Sequence, residues 1–377
     1  MSAAPTLSPE SFKTLLKKLH ATPSDFTADD VSLAMEHLLH DPPTPTPEQI
    51  GAFLSALKLT GVELLPSTLA TAADALLKRA IIPRVDSDVH AVRADMVGTG
   101  GDGHNVFNVS TTAAIVAAGA GLRVLKHGNY AATSSSGSAD LLLSLGCALA
   151  QKSVELPANL PFQFLLASTY HPALAGLGPL RKQLPFRTLF NLLGPLANPV
   201  RPTHMVLGVA APKLGPLFAQ ALVEQRHGRV HRALVVCGEE GLDEISCAGP
   251  SRIWTVDGET GTVTESVVTP EDFGLSRYSL DTVRGHSPSA NAEVLKELLR
   301  PNYTSPDREV PIDLVPVRAF VCMNASALLV VAGLAKDWKD GVRLALESIT
   351  SGKAWDAIDA FRAGSIEAMD LQSPAPK

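Results

Sequence analysis

The densest group of residues that could do chemistry is the stretch VGTGGDGHNVFNVSTT, residues 97–112. Three of its glycines have the G-x-G-x-x-G spacing of a dinucleotide-binding turn. Such a site also needs an acidic residue at the end of the second strand to hold the ribose hydroxyls. The second predicted strand, LRVLKHG, ends instead in Lys126 and His127, and a lysine at that place attracts phosphate. We therefore interpret the stretch as a phosphate-binding loop and not as a dinucleotide fingerprint.

Hydroxyl side chains follow these glycines where the next helix should begin. Ser110, Thr111 and Thr112 lie in its first turn, where unpaired N–H groups and the helix dipole favour anions. A second stretch, KHGNYAATSSSGS at 126–138, supplies a lysine, two glycines and five hydroxyls before its own helix. Ordinary capping and turn chemistry explains either loop alone equally well. Two such loops at the ends of neighbouring parallel strands predict one anion-binding crevice.

A third stretch, GLDEIS at 241–246, carries the adjacent acids Asp243 and Glu244 just after another predicted strand. Mg²⁺ in enzymes usually binds one or two carboxylates together with substrate phosphate. Paired acids on loops are more commonly just solvated, and we expect that of Glu239 and Glu240 immediately upstream. The sequence therefore offers Asp243 and Glu244 as candidate magnesium ligands.

Taken in order, four motifs make the sequence resemble the anthranilate phosphoribosyltransferases. They are GTGGDG…NVST, KHGN…SSSGSAD, FNLLGPLANP at 190–199 and GLDEIS. The likeness covers nearly the whole chain from about residue 10 and includes Asn291-Ala292, NASALLVVAG and SGKAWDAI. Members of the family combine a small helical domain of discontinuous segments with a larger α/β domain, hold the active site between them and pair through the helical domain. The resemblance implies the same organisation here, as a homodimer.

The resemblance also implies the reaction: anthranilate and 5-phosphoribosyl 1-diphosphate give N-(5-phosphoribosyl)anthranilate and pyrophosphate, with Mg²⁺ as the required cofactor. It implies that Lys126, Asp243 and Glu244 carry the chemistry, and that Ser110 joins the two acids as a metal ligand. The residues expected to bind the phosphoribosyl diphosphate are Gly98, Gly101, Asp102, Asn108, Ser110, Thr111, Lys126, Ser134 and Ser138. Those expected to bind anthranilate are Gly98, His127, Asn129, His171 and Arg181, with Arg181 paired to the carboxylate.

Some of these assignments have a plainer alternative. His127 and His171 could accept the proton that the amine loses, but histidines serve at least as often as structural hydrogen-bonding groups. Arg181 stands on a helical stretch, where an arginine usually extends to solvent. Two positions also depart from the family: Val106 stands where many relatives carry a hydroxyl, and Tyr130 where an arginine is frequent. Neither departure removes a residue assigned to the chemistry.

The elements that must position these residues change character along the chain. In the first 82 residues, helix-start signals stand at Ser8-Pro9, Thr27, Thr46-Pro47 and Pro66. From about residue 93, short apolar runs alternate with small-residue helices, which predicts parallel strands with right-handed crossovers. The expected fold class is α/β, a mainly parallel sheet flanked by helices, with a smaller all-α domain built from discontinuous segments.

The boundaries follow from these changes. We assign residues 1–92 and 153–196 to the helical domain, and residues 93–152 and 197–377 to the α/β domain. Residues 156–196 are expected to be helical or irregular, and residues 251–270 to form a hairpin. Further strands are expected at His204–Ala210 and Arg232–Gly238, and helices at about Leu214–Gln225, Ala319–Leu334 and Asp340–Ser351. The sequence assigns no role to the long segment 250–311.

The composition argues against several functions. The 377-residue chain has a net charge of −6, which supplies no basic surface for nucleic acid. Its apolar runs are shorter than the roughly 18 residues of a membrane span, and its N-terminus lacks the features of a targeting signal. The four cysteines, Cys147, Cys237, Cys247 and Cys322, are scattered and are expected to be reduced. We therefore expect a cytoplasmic protein that binds small molecules, and neither nucleic acid nor membrane.

Two other functions remain open. A pyrimidine-nucleoside phosphorylase has the same fold, uses free phosphate and needs no acid pair, so GLDEIS and KHGN argue against it. A non-catalytic nucleic-acid-binding paralogue should have a basic surface and lack the two acids, which is the reverse of this sequence.

Overall fold

The computed structural model describes residues 7–85, 92–131, 135–149, 155–225, 230–305 and 313–372. Residues 7–85 form helices with the bounds α1 Pro9–Ala21, α2 Ala28–Leu38, α3 Pro47–Thr60 and α4 Pro66–Arg79. The side chains of Ser8, Thr27 and Thr46 each accept a hydrogen bond from the backbone N–H three residues on, which caps the helix. Gly61 ends α3 in the left-handed conformation, at φ 76°. The predicted helix starts are confirmed.

The strands of the described residues form one sheet. Their bounds are β1 Ala94–Gly98, β2 Val124–Gly128, β3 Phe162–Leu166, β4 His204–Gly208, β5 Arg232–Gly238, β6 Ser251–Asp257 and β7 Thr262–Val268. The spatial order is β3-β2-β1-β4-β5-β6-β7. Neighbours from β3 to β5 pair in parallel, whereas β6 and β7 pair antiparallel as a hairpin. The mainly parallel α/β fold and the hairpin are therefore confirmed.

The remaining helices connect the strands and follow the sheet. Their bounds are α5 Val109–Gly119, α6 Ser138–Ser144, α7 Ala167–Tyr170, α8 Gly178–Gln183, α9 Leu189–Leu192, α10 Gly215–Glu224, α11 Pro288–Leu299, α12 Leu314–Val331, α13 Trp338–Thr350 and α14 Lys353–Gln372. The sequence did not predict β3, α11 or α14. β3 was missed because FQFLL is buried at every residue, so it shows no alternation that would distinguish a strand.

The expectation that the apolar runs are too short to span a membrane is wrong for α12. Among the described residues this helix is long and apolar enough, with 18 residues and a mean hydropathy of 1.9. The prediction began the helix at Ala319, whereas it begins at Leu314. Because 78% of the helix is buried inside the protein, α12 is a core element that packs against α5 and α13.

Helices cover both faces of the sheet. One apolar cluster joins α5, α12, α13 and α14 to one face, to which Val206 of β4 contributes. The other joins α1 to α4 and α10 to the opposite face, to which Met205 and Leu207 contribute, as strand alternation requires. The N-terminal helices therefore share a continuous core with the sheet. The division into two domains stays a prediction, and residues 86–91 and 150–154 at its boundaries lie outside the described residues.

The order of the strands creates a crevice beside β1. This strand lies between β2, which follows it in the chain, and β4, which comes much later. Ligands bind to open α/β sheets at such points, outside the carboxyl ends of the strands. Gly98 and Gly208 end β1 and β4 side by side, and a side chain on Gly208 would overlap the backbone of Asp243. The two glycines thus bring the acidic loop against the strand ends.

Candidate active site

A cavity of about 730 Å³ opens at the carboxyl ends of β1 and β2. It is lined by the glycine loop (residues 97–108), the start of α5, the second loop (residues 128–138 as far as described) and the acid pair. The predicted site residues that line it are Gly98, Gly101, Asp102, Asn108, Ser110, Thr111, Lys126, His127, Asn129, Ser138, Asp243 and Glu244. Ser134 lies outside the described residues. Arg181 and His171 are not among the residues that line this cavity.

The glycine loop needs its glycines for both conformation and space. Gly100, Gly101 and Gly103 have φ values of 62°, 77° and 80°, in the left-handed region that other residues enter only with strain. The N–H of Gly100 donates to Oδ2 of Asp243 (2.7 Å). A side chain on Gly98 would overlap the Asp243 carboxylate. The loop is therefore fixed directly against the acid pair.

Arg187 also holds this loop, and sequence reasoning missed it. Its Nη2 donates to the carbonyl of Thr99 (2.7 Å), and its Nη1 donates to the carbonyl of Gly100. A side chain on Gly101 would overlap the guanidinium. No local motif marks this role, because Arg187 precedes α9 and is distant in sequence from the loop that it contacts. Only the tertiary structure reveals the contact.

Lys126 is buried at the end of β2, with 2% of its surface exposed. Its Nζ donates to the carbonyl of Met96 and to Oγ of Ser110 (3.4 Å), in the first turn of α5. Burial lowers the pKa of the ammonium, and the carboxylates of Asp95, Glu244 and Asp243 oppose that shift. The lysine thus links the second strand to β1 and to the first turn of α5.

The acid pair lies in a desolvated environment. Burial and the neighbouring Asp102 raise the pKa of Asp243 to about 7. Burial and Asp243 raise the pKa of Glu244 well above its usual value. In the described part of the chain, no group of three or more His, Cys, Asp or Glu side chains is arranged to hold a metal. Two partly buried, adjacent carboxylates that repel each other nevertheless fit a hard cation, which would relieve the repulsion while keeping several waters.

The sequence predicted that the upstream acids Glu239 and Glu240 are simply solvated, and this prediction is wrong because both have partners in the protein. Glu239 forms an ion pair with Arg252 (Oε1 to Nε, 2.8 Å) at the surface. Glu240 accepts a hydrogen bond from Oγ of Ser246, and its carbonyl lies 3.2 Å from Nε2 of His104 in the glycine loop. Neither acid lines the cavity.

The two candidate histidines form a buried edge-to-face pair, with ring centroids 5.3 Å apart. Nδ1 of His127 lies 3.2 Å from the carbonyl of Gly194, and Nε2 of His171 lies 2.8 Å from that of Ala197. Carbonyls only accept, so these nitrogens carry the protons. Burial lowers the pKa of both, that of His127 to about 3. Nε2 of His127 and Nδ1 of His171 have no partner among the described residues, so each ring offers a buried acceptor.

Arg181 lies on α8 and does not line this cavity. Its guanidinium carbon is 5.3 Å from the centre of the Phe190 ring, a cation–π distance. Burial lowers its pKa, and its Nε has no partner among the described residues. The alternative that Arg181 extends to solvent does not hold, because the side chain packs inward.

The structure also locates Val106 and Tyr130, the two positions that depart from the family, and the hydrogen bonds of the second loop. Val106 pairs as an isolated antiparallel bridge with Arg284, and the side chain of Tyr130 is 46% exposed at the rim of the cavity. Oγ of Ser138 donates to the carbonyl of Asn129 (3.1 Å). A side chain on Gly128 would overlap that hydroxyl, so the glycine lets the loop fold back on the strand.

The fold and the cavity define a glycosyltransferase. Residues 90–355, most of the chain, match the family described as glycosyl transferase family, a/b domain. This range contains both loops, Lys126 and the acid pair.

Comparison with similar proteins identifies the family of glycosyltransferases to which the chain belongs. The chain is 45% identical to anthranilate phosphoribosyltransferase of Schizosaccharomyces pombe over 84% of this chain and 87% of that protein. It is 40% identical to that of a Synechococcus strain, over 84% and 87%. The solved Saccharomyces cerevisiae enzyme in complex with PRPP and Mg matches with a TM-score of 0.84 at 32% identity, covering 96% of this chain and 99% of that one. The Thermus thermophilus enzyme matches with a TM-score of 0.79 at 34% identity, covering 93% and 99%. This chain belongs to the anthranilate phosphoribosyltransferase family.

Proposed function

We propose that the chain transfers the 5-phosphoribosyl group of 5-phosphoribosyl 1-diphosphate to the amine of anthranilate and releases pyrophosphate, the second step of tryptophan biosynthesis. The observation that carries the proposal is the convergence of both phosphate loops, Lys126 and the acid pair on one cavity. The names of the similar proteins support it, as does the solved relative that binds PRPP and Mg.

We propose that Asp243, Glu244 and the Ser110 hydroxyl hold Mg²⁺ together with the diphosphate. The raised pKa values of the two acids show that each carboxylate is partly desolvated and lies beside another negative charge, an environment in which a bound cation would be favourable. Bound there, Mg²⁺ would neutralise negative charge on the diphosphate.

The protein groups of the cavity would stabilise the departing pyrophosphate. The bond from ribose C1 to the diphosphate oxygen breaks, so negative charge builds on the leaving group while the ribose becomes electron-poor. Lys126, the glycine loop and the start of α5 line the cavity that would hold that charge. Preorganised donors of this kind gain strength as the charge develops, and this lowers the barrier.

The anthranilate amine is neutral at pH 7, so it needs positioning more than deprotonation. We assign Arg181 to its carboxylate, because a partly buried guanidinium whose Nε has no partner among the described residues suits a carboxylate. Gly98 and Asn129 would contact the ring or the amine, with His127 and His171 behind them. Since the pKa of His127 is about 3, it acts here as a hydrogen-bond acceptor and not as the base. The amine proton would leave to solvent after the carbon–nitrogen bond forms.

We further infer that two copies associate through the N-terminal helices. Leu59 at the end of α3 is 87% exposed and Leu65 before α4 is 45% exposed, an apolar surface that a second copy would cover. Sedimentation should show a dimer at micromolar concentration, and Leu59→Glu should weaken it. A wild-type chain that stays monomeric would contradict this inference.

The function is tested by following anthranilate fluorescence in the presence of 5-phosphoribosyl 1-diphosphate. We expect the fluorescence to fall only when Mg²⁺ is also present, with pyrophosphate released in equal amount. The same chain should not convert thymidine or uridine with phosphate. Turnover of those nucleosides without turnover of anthranilate would identify a nucleoside phosphorylase instead.

A further inference from the structure

The segment from Val283 to Asn291, here called the bridging segment, lies against both phosphate loops. Its backbone is joined to the glycine loop: the N–H of Phe107 donates to the carbonyl of Val283 (2.8 Å), and the N–H of Gly285 donates to that of Asn105 (2.8 Å). A side chain on Gly285 would come within 2.5 Å of the Val106 carbonyl. This contact requires the glycine, so the approach of the two backbones is a specific feature.

Side chains extend this connection to the second loop. Nδ2 of Asn105 donates to the carbonyl of Gly285 (2.9 Å). Oγ of Ser135, in the second loop, lies 2.7 Å from Oδ1 of Asn105 and 2.9 Å from the carbonyl of His286, and its one proton can serve either. The glycine loop, the second loop and the bridging segment therefore meet at one point.

A second meeting point is centred on Asn291, in the first turn of α11 and 1% exposed. Its Nδ2 donates to Oδ1 of Asn108 (2.8 Å), and Nδ2 of Asn108 donates to the carbonyl of Ser136 (2.8 Å). Oδ1 of Asn291 accepts from the N–H of His286 (3.0 Å). The chain of bonds begins and ends on backbone groups of fixed polarity, so the orientation of both amides is determined.

Asn108 stands directly before α5 but makes no capping bond with its own helix. Its amide is committed to Ser136 on one side and to Asn291 on the other. The side chain that could have capped the first turn of α5 instead ties that turn to the second loop. What orients Asn108 is therefore the amide of Asn291.

We propose that Asn291 is a positioning residue for the phosphoribosyl diphosphate site, which acts through Asn108 to fix the two phosphate loops relative to each other. The inference rests on the proposed function, since it assumes that both loops bind the diphosphate substrate. It gives the bridging segment a role in catalysis although Asn291 itself does not line the cavity.

The test compares Asn291→Asp and Asn291→Ala with the wild type. Asn291→Asp keeps the size and the acceptor for His286 but places a carboxylate oxygen against Oδ1 of Asn108, so the network cannot be satisfied. Asn291→Asp also loses the bond from Nδ2 to the carbonyl of His286 (3.3 Å). We expect the KM for 5-phosphoribosyl 1-diphosphate to rise about tenfold, as loss of the buried bond to Asn108 implies, and the KM for anthranilate to change less than about twofold. Calorimetry with Mg²⁺ and pyrophosphate should show the same loss of affinity. Where the alanine variant is too unstable to assay, the aspartate variant decides.

Asp281→Asn is the matched control, because Asp281 lies just before the bridging segment and pairs only with the exposed Arg284 among the ion pairs described. It should leave both KM values unchanged. Variants of Asn291 that melt at a lower temperature but keep the wild-type KM for the diphosphate substrate and the wild-type pyrophosphate affinity would overturn the positioning role. A wild-type chain that does not consume anthranilate would instead overturn the proposed function.

Discussion

The two sides of the proposed active site are built from different kinds of structure. The glycine loop and the acid pair follow strands of the sheet, and Lys126 lies on β2 of the same sheet. Hydrogen bonds join the loop to Asp243 and join Lys126 to Ser110 in the first turn of α5. Arg181 and His171 belong instead to a stretch of short helices, of which α7 has four residues and α8 has six. His171 pairs with the ring of His127 and bonds the carbonyl of Ala197, and Arg181 lies over the ring of Phe190.

Because of this difference, we expect the diphosphate side of the site to be formed before the substrate binds, and the anthranilate side to be completed only when the substrate binds. Parallel strands fix where their carboxyl ends meet, so the diphosphate side has its geometry before binding. Short helices are not fixed by the hydrogen bonds of a sheet. Arg181 does not line the cavity that is lined by the two phosphate loops. We therefore expect changes on the diphosphate side to affect the rate or the KM for 5-phosphoribosyl 1-diphosphate, and changes on the anthranilate side to affect mainly the KM for anthranilate.

The largest effect is expected from Lys126→Met, which keeps the volume of the side chain and removes its charge. kcat should fall on the order of a thousandfold, because one preorganised group aimed at the leaving group is lost. Lys182→Met on α8 changes an exposed lysine in the same way and should be neutral. Steady-state kinetics and melting temperature measure both variants. A folded Lys126→Met with near-normal kcat would remove the lysine from the chemistry.

Arg181→Ala should act on one substrate. We expect the KM for anthranilate to rise roughly 30- to 150-fold, since a desolvated charge pair is worth about 2–3 kcal/mol, and the KM for the diphosphate substrate to change little. Arg181→Lys keeps the charge and should restore part of the affinity. Equal changes in both KM values would mean that Arg181 is structural.

Arg187→Lys tests whether a residue of the short-helix stretch can affect the diphosphate side alone. This arginine belongs to the same stretch as Arg181 but holds the carbonyls of Thr99 and Gly100 with two nitrogens. A lysine cannot reproduce this fork, so the KM for 5-phosphoribosyl 1-diphosphate should rise about tenfold while that for anthranilate stays constant. If Arg187→Lys lost affinity only for anthranilate, Arg187 would serve the anthranilate side together with Arg181, and the comparison would be wrong.

The smallest effect concerns the pH dependence of stability. Burial holds the pKa of His127 at about 3, below the ordinary 6.5, so between these values the unfolded chain binds a proton that the folded protein does not. The free energy of unfolding should therefore fall as the pH falls from 6.5, by up to about 1.4 kcal/mol per pH unit from this group. His127→Asn should lose this part of the slope, whereas His20→Asn at an exposed position should keep it. Denaturant titrations at pH 7 and pH 5 would detect the difference, and identical slopes for wild type and His127→Asn would contradict it.

The same contrast explains what the sequence could predict. Helix starts were readable because Ser8, Thr27 and Thr46 act on backbone groups three residues away. The convergence of Lys126 with the acid pair was readable because parallel strands align their ends. Arg187 and Asn291 were not readable as site residues, since each acts through a contact with the glycine loop made about 90 to 180 residues away in the chain. Such pairs are set by packing, which no local pattern encodes.

Phosphoribosyl transfer should depend on a metal held by the acid pair, and the Mg²⁺ dependence of kcat in Asp243→Asn and Glu244→Gln tests this most directly. Both variants keep the size and polarity of the side chain, and Glu239→Gln, which changes a surface ion pair, is the control. We predict that kcat falls about a hundredfold at low Mg²⁺ in both acid variants, that excess Mg²⁺ restores part of it, and that the control behaves as wild type. Near-normal rates at low Mg²⁺ in the Asp243 and Glu244 variants would contradict the account.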